Sequence, residues 1–276
     1  MTALLLLGAS ALLHAGWNLL VKRSGTDDVL YVWLYGVLAV PVAVVLLLVV
    51  GPGPAWWAAL VSTTLHTGYA IALQRAYAGA NLSVVYPVSR GAAPVLVLAV
   101  SAPVVGVPGA WELAGIALVV GGLALMSGPV RPGSRPGAAV LAGLGVAAFI
   151  TAYTLWDAFA VTRLDVEPLP YLALSSLAQG VLLTAVVLPR RAGIPQAVRT
   201  HWRGALAITF LVPAAYGLVL VALEHATPAV VAAGRSLNVV FAVLLGIWLL
   251  HEPRTPRTLA GAAVIVAGAL ALAAGT

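Results

Sequence analysis

Two arginines stand inside long apolar stretches, where a permanent charge needs a chemical reason. Arg90 lies in NLSVVYPVSRGAAPVLVLAV and Arg235 in AAGRSLNVVFAVLLG. A charge at the centre of a membrane helix costs about 2.5–3.5 kcal/mol on insertion scales, so it normally faces a cavity or a partner. A guanidinium group binds a carboxylate or another oxyanion through two hydrogen bonds. The alternative is a structural tie, because Pro87 and Pro94 free backbone carbonyls beside Arg90 that the arginine could satisfy.

Polar side chains share a helical face with each arginine. Tyr86 precedes Arg90 by four residues and Asn238 follows Arg235 by three, and both spacings place two residues on one face of a helix. Tyr86 either contacts a substrate or packs as an aromatic. Asn238 either contacts a substrate or joins two helices through a hydrogen bond.

A polar and aromatic stripe runs along the first apolar stretch. His14, Trp17 and Asn18 are spaced by three and four residues, so they lie on one side of a helix. His14 either carries a proton or a hydrogen bond to a substrate, or donates a hydrogen bond to a neighbouring helix. Trp17 either stacks on a substrate or packs against the chain.

Similar side chains recur later in the sequence. Tyr153 and Asp157 lie on one face of another apolar stretch, and Tyr69 and Tyr216 lie in two more. Asp157 either binds a substrate amine or a proton, or pairs with Arg163 at the membrane interface. The tyrosines are candidates for the walls of a binding site.

The composition places the whole chain in a membrane. Of the 276 residues, 62% are hydrophobic and only 8% are charged, and the mean hydropathy is +1.06. Soluble domains have about 25% charged residues. A soluble protein of this size could not cover its surface with 14 Lys and Arg and 8 Asp and Glu residues. The sequence therefore predicts a polytopic membrane protein.

Ten apolar runs are long enough to cross a bilayer core, which needs about 20 residues per helix. They are predicted at about 2–21, 29–50, 56–78, 82–105, 111–128, 138–160, 168–188, 204–224, 228–250 and 257–275. PVRPGSRPG at 129–137 is a predicted linker between a first unit, 1–128, and a second, 138–276. The longest connection, 189–203, is predicted to lie along the membrane interface.

The two units repeat each other weakly. VSRGAAPVLVLAVSAP aligns with AAGRSLNVVFAVLLG, WELAGIALVVGGLAL with RTLAGAAVIVAGALAL, and HAGWN with YTLWD. The alignment matches Arg90 with Arg235 and Asn18 with Asp157. Because five is an odd number of spans, the copies must insert in opposite orientations, which is typical of transporters with a central site. The sequence predicts an all-α membrane protein of ten transmembrane helices, arranged as two inverted five-helix repeats around a central cavity.

The distribution of basic residues predicts the orientation. Apart from Arg90 and Arg235, eleven of the 14 Lys and Arg residues fall on connections of one face and only Arg163 on the other. Cytoplasmic loops are enriched in Lys and Arg. We therefore expect a multi-pass protein of the cell inner membrane with both termini external.

Several chemistries lack their usual sequence signatures. There is no Cys, and the sequence has no GxxxxGK[ST], HExxH or GxSxG motif. We expect no enzyme activity, no cofactor, no metal and no nucleic-acid partner.

Four blocks together resemble a known family over nearly the whole chain. HAGWNLLVK, VVYPVSRGAAP, YTLWD and AAGRSLNVVFAVLLGIWLLHEPRTPRTLAGAAVIVAG are similar to EamA-type members of the drug/metabolite transporter superfamily. The resemblance implies a basket of ten helices whose cavity is lined by helices 1, 3, 4, 6, 8 and 9. It implies transport of small metabolites, often amino acids or related amines. The residues placed on those cavity helices are His14, Trp17, Asn18, Tyr69, Tyr86, Arg90, Tyr153, Asp157, Tyr216, Arg235 and Asn238.

These observations predict a secondary active transporter that works by alternating access. The expected substrate is an amino-acid-like zwitterion or an organic anion, bound by Arg90 and Arg235, with protons as a candidate coupling ion at Asp157 or His14. A non-transporting membrane scaffold or receptor subunit is the alternative. An intramembrane enzyme is a third hypothesis, and no motif supports it.

Overall fold

The described residues of the chain are helical. The structure is a computed structural model that describes residues 1–24, 29–79, 82–126, 136–249, 251 and 255–275, and these ranges contain no β-strand. The α-helices are α1 (Thr2–Ser24), α2 (Val29–Val50), α3 (Trp57–Gly79), α4 (Leu82–Val105), α5 (Ala110–Met126), α6 (Pro136–Arg163), α7 (Pro168–Val187), α8 (Ile194–Leu223), α9 (Pro228–Gly234), α10 (Leu237–Leu249) and α11 (Pro256–Gly275). A 3₁₀ helix, Leu188–Gly193, joins α7 to α8.

Most of these helices suit a bilayer. Within the described residues, seven segments are long and apolar enough to cross a membrane, and one of them, Pro168–Leu223, includes both α7 and α8. The apolar helix α5 is shorter, at 17 residues. The prediction of an all-helical, multi-pass membrane protein is therefore confirmed.

Two predicted elements differ from the observed ones. The connection predicted at 189–203 is helical, since the 3₁₀ helix covers Leu188–Gly193 and α8 begins at Ile194. Pro195 is compatible with this start because proline fits the first turn of a helix, where its missing N–H costs nothing. The ninth predicted helix is divided into α9 and α10 around Arg235.

The linker predicted at 129–137 falls largely outside the described residues. Its last two positions, 136 and 137, belong to the first turn of α6.

The helices pack in a small number of principal pairs. The main contacts join α1 to α8 and α10, α3 and α4 to α6, α2 to α7, and α5 to α11. In the last pair the backbones nearly touch. A Cβ on Gly115 would lie 2.8 Å from the carbonyl oxygen of Gly268, and one on Gly122 would lie 2.8 Å from that of Gly261. Glycine at these positions allows the close approach of α5 and α11.

Candidate functional site

The two central arginines face one cavity. Arg90 comes from α4, and Arg235 from the turn between α9 and α10, and the cavity between them has a volume of ≈10 Å³. Its walls are completed by Ala93, Ile150, Thr154, Ala232 and Ser236. A cavity of about 10–15 Å³ holds roughly one water molecule. The space between the two arginines is therefore about the size of one water molecule.

A break in the helix places Arg235 at this cavity. Helix α9 ends at Gly234 and α10 begins at Leu237, and the turn between them is joined by the bonds from Ser236 N–H to the Ala233 carbonyl (2.9 Å) and from Val239 N–H to the Ser236 carbonyl (3.0 Å). Arg235 itself keeps right-handed helical backbone angles, φ −57° and ψ −23°, so the helix tightens there into a 3₁₀-type turn and then continues. This tightened turn carries Arg235 to the wall of the cavity.

Aromatic rings hold the Arg235 guanidinium. Its Cζ lies 5.4 Å from the ring centre of Tyr153 and 5.5 Å from that of Tyr216. A cation over an aromatic face gains about 2 kcal/mol or more when water is excluded. The two rings therefore hold the guanidinium group in place beside the cavity.

Arg90 contacts two tyrosines. Its Nη2 donates a long hydrogen bond of 3.4 Å to the Tyr69 hydroxyl, and its Cζ lies 5.9 Å from the ring centre of Tyr86. Tyr69 also packs edge-on against Tyr153, with ring centres 5.7 Å apart. The aromatic network thus joins the surroundings of the two arginines.

The stripe on α1 reaches the site only in part. His14 packs edge-on against Trp17 at 4.8 Å, and it lies close enough to Arg90 and Arg235 for both positive charges to act on it. Asn18 is exposed, and its amide donates to the His14 carbonyl of its own helix at 2.8 Å. The structure therefore brings His14 to the arginines but leaves Asn18 at the surface.

Asp157 is fully enclosed and held by tyrosines. Its exposed fraction is 0%, Tyr171 donates to its Oδ1 at 2.7 Å, and Tyr216 donates to its Oδ2. The suggested pairing with Arg163 was wrong, because Arg163 is exposed at the end of α6 while Asp157 points into the protein. Tyr216 therefore contacts both Asp157 and Arg235.

Asn238 and Thr154 present polar atoms without partners. Asn238 is 7% exposed and Thr154 2% exposed, and neither Asn238 Oδ1 nor Thr154 Oγ1 has a hydrogen bond in the structure. An unsatisfied buried polar atom costs about 1–3 kcal/mol. Thr154 lines the cavity between the arginines, so its hydroxyl is placed to contact a ligand.

Four further residues of the site are not among those predicted from the sequence. Tyr171 lies at the start of a bland apolar run, and Thr154 and Ser236 are of a type common inside membrane helices. His66 stacks on Tyr153 at 4.1 Å and packs edge-on against Tyr216 at 5.0 Å. Its Nδ1 lies 2.9 Å from the Ser62 carbonyl, which only accepts, so Nδ1 is the protonated nitrogen. The three-residue spacing of His66 and Tyr69 was the available signal for this second aromatic face.

The fold and the site define a multi-pass helical membrane protein with two arginines facing a closed central cavity. The sequence model of the EamA-like transporter family matches residues 137–274, which is half of the chain. The chain therefore belongs to the EamA-like transporter family, and it is a membrane transporter in that general sense.

Structural comparison supports the same fold. A solved chain described only as "Crystal structure of protein" superposes with a TM-score of 0.69 at 18% sequence identity, over 98% of this chain and 95% of the other. At that identity the likeness concerns the fold alone. It is one of 28 matching chains, so the architecture is a recurrent one. No curated protein matches the sequence.

Proposed function

We propose that this protein is a secondary active transporter that moves a small carboxylate-bearing metabolite across the cell inner membrane by alternating access. The substrate is an amino-acid-like zwitterion or an organic anion. The observation that carries the proposal is the convergence of Arg90 and Arg235, from opposite halves of the chain, on one cavity.

The proposed architecture is ten spans in two inverted repeats, 1–128 and 138–276. The seven apolar segments give eight spans when α7 and α8 are counted separately, and α3 and α5 complete the ten, with α9 and α10 together forming one. In the proposed repeat, α1 corresponds to α6 and α8 to α3, so the contact of α1 with α8 has its counterpart in the contact of α6 with α3. In the same way, the contact of α4 with α6 has its counterpart in the contact of α10 with α1.

The glycine contacts of α5 and α11 support the same symmetry. Gly115 corresponds to Gly261 and Gly122 to Gly268 in the repeat alignment. The close approaches join Gly115 to Gly268 and Gly122 to Gly261, which is the crossed pattern that a two-fold axis between the helices produces. The family match to 137–274 also coincides with the second repeat.

The chemistry of the cavity fits the head group of such a substrate. A guanidinium group forms two parallel hydrogen bonds with a carboxylate, and Thr154 Oγ1 adds a polar contact beside both arginines. Because the present cavity has room for only about one water molecule, substrate entry requires the helices to separate. That is the behaviour of an occluded state between two open ones.

A thermal-stability screen tests the binding role. The full-length protein is screened against amino acids, amines, carboxylates and phosphonates, because a ligand that binds the folded state raises the melting temperature. We expect one acidic or zwitterionic class to stabilise the wild type. The shift should disappear in Arg90→Ala and Arg235→Ala and persist in the control Arg163→Ala, which removes an exposed arginine. Normal binding by both central variants would show that the arginines have another role.

Flux measurements separate a transporter from a scaffold or receptor. Vesicles containing the protein are loaded with the stabilising compound, and exchange with labelled external compound is followed. A transporter accelerates exchange over empty vesicles, whereas binding without exchange supports a receptor subunit.

A further inference from the structure

The enclosure of Asp157 calls for an explanation beyond substrate binding. Burial of an ionised carboxylate costs several kcal/mol unless charges or hydrogen bonds compensate. In the described part of the chain Asp157 forms no ion pair, and the hydroxyl groups of Tyr171 and Tyr216 are its hydrogen-bond donors. Intramembrane carboxylates in such settings mark ion or proton sites.

The two tyrosines that bond Asp157 have different surroundings. Tyr171 borders a second cavity, of ≈110 Å³, formed by the α2–α3 and α6–α7 connections, where Asp165 and Glu167 are exposed. This cavity is larger than the one between the arginines and has room for several water molecules. On the other side, the Tyr216 ring lies beside Arg235. Tyr171, which lines the peripheral cavity, and Tyr216, which lies beside Arg235, therefore contact Asp157 from two sides.

We propose that Asp157 is the proton-binding site of this transporter, reached from the peripheral cavity through Tyr171 and linked to the substrate site through Tyr216. The proposal rests on the proposed function and adds its coupling ion. A hydronium ion in the cavity gives a proton to the Tyr171 hydroxyl oxygen while the original Tyr171 proton moves to Asp157 Oδ1. The products are water, a neutral tyrosine and a neutral carboxylic acid, so charge and atoms balance.

Protonation changes what Asp157 can accept. The ionised carboxylate accepts from both hydroxyl groups, whereas the protonated form has an O–H that must itself donate. Because the proton lies on Oδ1, the Tyr171 hydroxyl has to turn and accept from it. The Tyr216 hydroxyl then donates to an uncharged carboxyl group, which weakens a hydrogen bond of the residue whose ring packs against Arg235. His66 of α3 is a further titratable group close to Asp157, and it packs edge-on against Tyr216 at 5.0 Å.

The site belongs to one half of the molecule only. The repeat alignment matches Asp157 with Asn18, which does not ionise and whose amide is bonded to the His14 carbonyl. Among the described residues, no group of three or more His, Cys, Asp or Glu is suited to hold a metal ion. Asp157 therefore has no ionisable counterpart at the matching position of the first half.

Infrared difference spectroscopy of the full-length protein in nanodiscs tests the assignment without any substrate. Stepwise acidification should produce the C=O stretch of a protonated carboxylic acid in the wild type. Because the chain has 8 Asp and Glu residues, the component assigned to Asp157 is the part of this band that Asp157→Asn removes and the control Asp165→Asn/Glu167→Gln retains. After a rapid pH change, the band should develop at least about tenfold more slowly in Tyr171→Phe, which lacks the relaying hydroxyl.

Each other outcome overturns part of the proposal. A wild type without the band, or an Asp157→Asn variant that keeps it, contradicts the proton site, and an unchanged rate in Tyr171→Phe contradicts the path. Should Asp157→Asn not fold, Asp157→Glu must shift the band, and an unshifted band contradicts the assignment. If the band changes when Na⁺ is replaced by choline and does not change with pH, the bound ion is Na⁺ and the proton assignment is contradicted. A negative titration leaves the arginine variants and their ligand binding untouched, so the two proposals fail separately.

Discussion

At the scale of single residues, tyrosine side chains connect the two buried charges in the second half of the chain. Arg235 lies against Tyr153 and Tyr216, while Asp157 is bonded to Tyr171 and Tyr216. Tyr216 is common to both groups. It therefore contributes to stability through a hydroxyl bonded to a carboxylate and through a ring packed against a cation.

Removal of the Tyr216 hydroxyl should be costly. Tyr216→Phe leaves Oδ2 of a fully buried carboxylate without its donor, and a hydrogen bond to a charged group is worth about 1.5–3 kcal/mol. We expect the free energy of unfolding to fall by about that amount in detergent-based unfolding. The control Tyr86→Phe, which does not contact Asp157, should change it by less than about 0.5 kcal/mol. Equal losses in the two variants would contradict the assigned role of the Tyr216 hydroxyl.

The sequence predicted which residues belong to the site better than it predicted which residues they contact. The match of Arg90 with Arg235 in the repeat alignment predicted two related positions, and both guanidinium groups face one cavity. The partner of Asp157 was misassigned, because closeness in sequence to Arg163 says nothing about the direction in which each side chain points. Tyr171 was missed because a tyrosine near a helix start is usually an interfacial anchor.

Small residues decide how closely the elements pack, at the scale of helices. The contact of α5 with α11 depends on Gly115, Gly122, Gly261 and Gly268, which bring carbonyl oxygens within van der Waals distance of the facing backbone. Membrane helices associate through such close packing because lipid provides little hydrophobic driving force.

Two adjacent glycines of α5 provide a matched pair for testing this contact. A Cβ at Gly122 would lie 2.7 Å from Ile265 Cγ1 and 2.8 Å from the Gly261 carbonyl oxygen, whereas a Cβ at Gly121 meets nothing within 4 Å. Gly122→Ala should lower the free energy of unfolding by about 1–3 kcal/mol through overpacking. Gly121→Ala should leave it unchanged or raise it by up to about 1 kcal/mol, since alanine favours helix. Equal effects in detergent-based unfolding would contradict the close packing.

Apolar run length predicted the helices better than it predicted their interruptions. The seven candidate spans follow from runs of apolar residues. The break between α9 and α10 does not, because AAGRSLNVV is compatible with a continuous helix. There, Gly234 approaches α1 so closely that a Cβ would lie 2.6 Å from Leu7 Cδ1, and this tertiary contact has no local signature.

Basic residues determine the expected orientation of the whole molecule. A C-terminal alkaline phosphatase fusion should be active and a C-terminal fluorescent reporter that matures only in the cytoplasm should be dark, because the connections rich in Lys and Arg are retained inside. The internal control is the same pair of reporters placed after Arg190, in the 3₁₀ connection, where the pattern should reverse. A bright C-terminal reporter would place both termini in the cytoplasm.

The tightened turn at Arg235 has no counterpart in α4, which is a single α-helix from Leu82 to Val105, so the two halves of the molecule differ at this position. In the inverted repeat proposed above, two identical halves would make the inward-open and outward-open forms equal in free energy. Unequal halves give the empty carrier a resting preference for one side. Each difference of about 1.4 kcal/mol between the forms is a tenfold bias, and it weakens the apparent affinity on the disfavoured side by the same factor. Such a carrier would collect its substrate efficiently at low concentration on one side of the membrane and release it readily into a high concentration on the other.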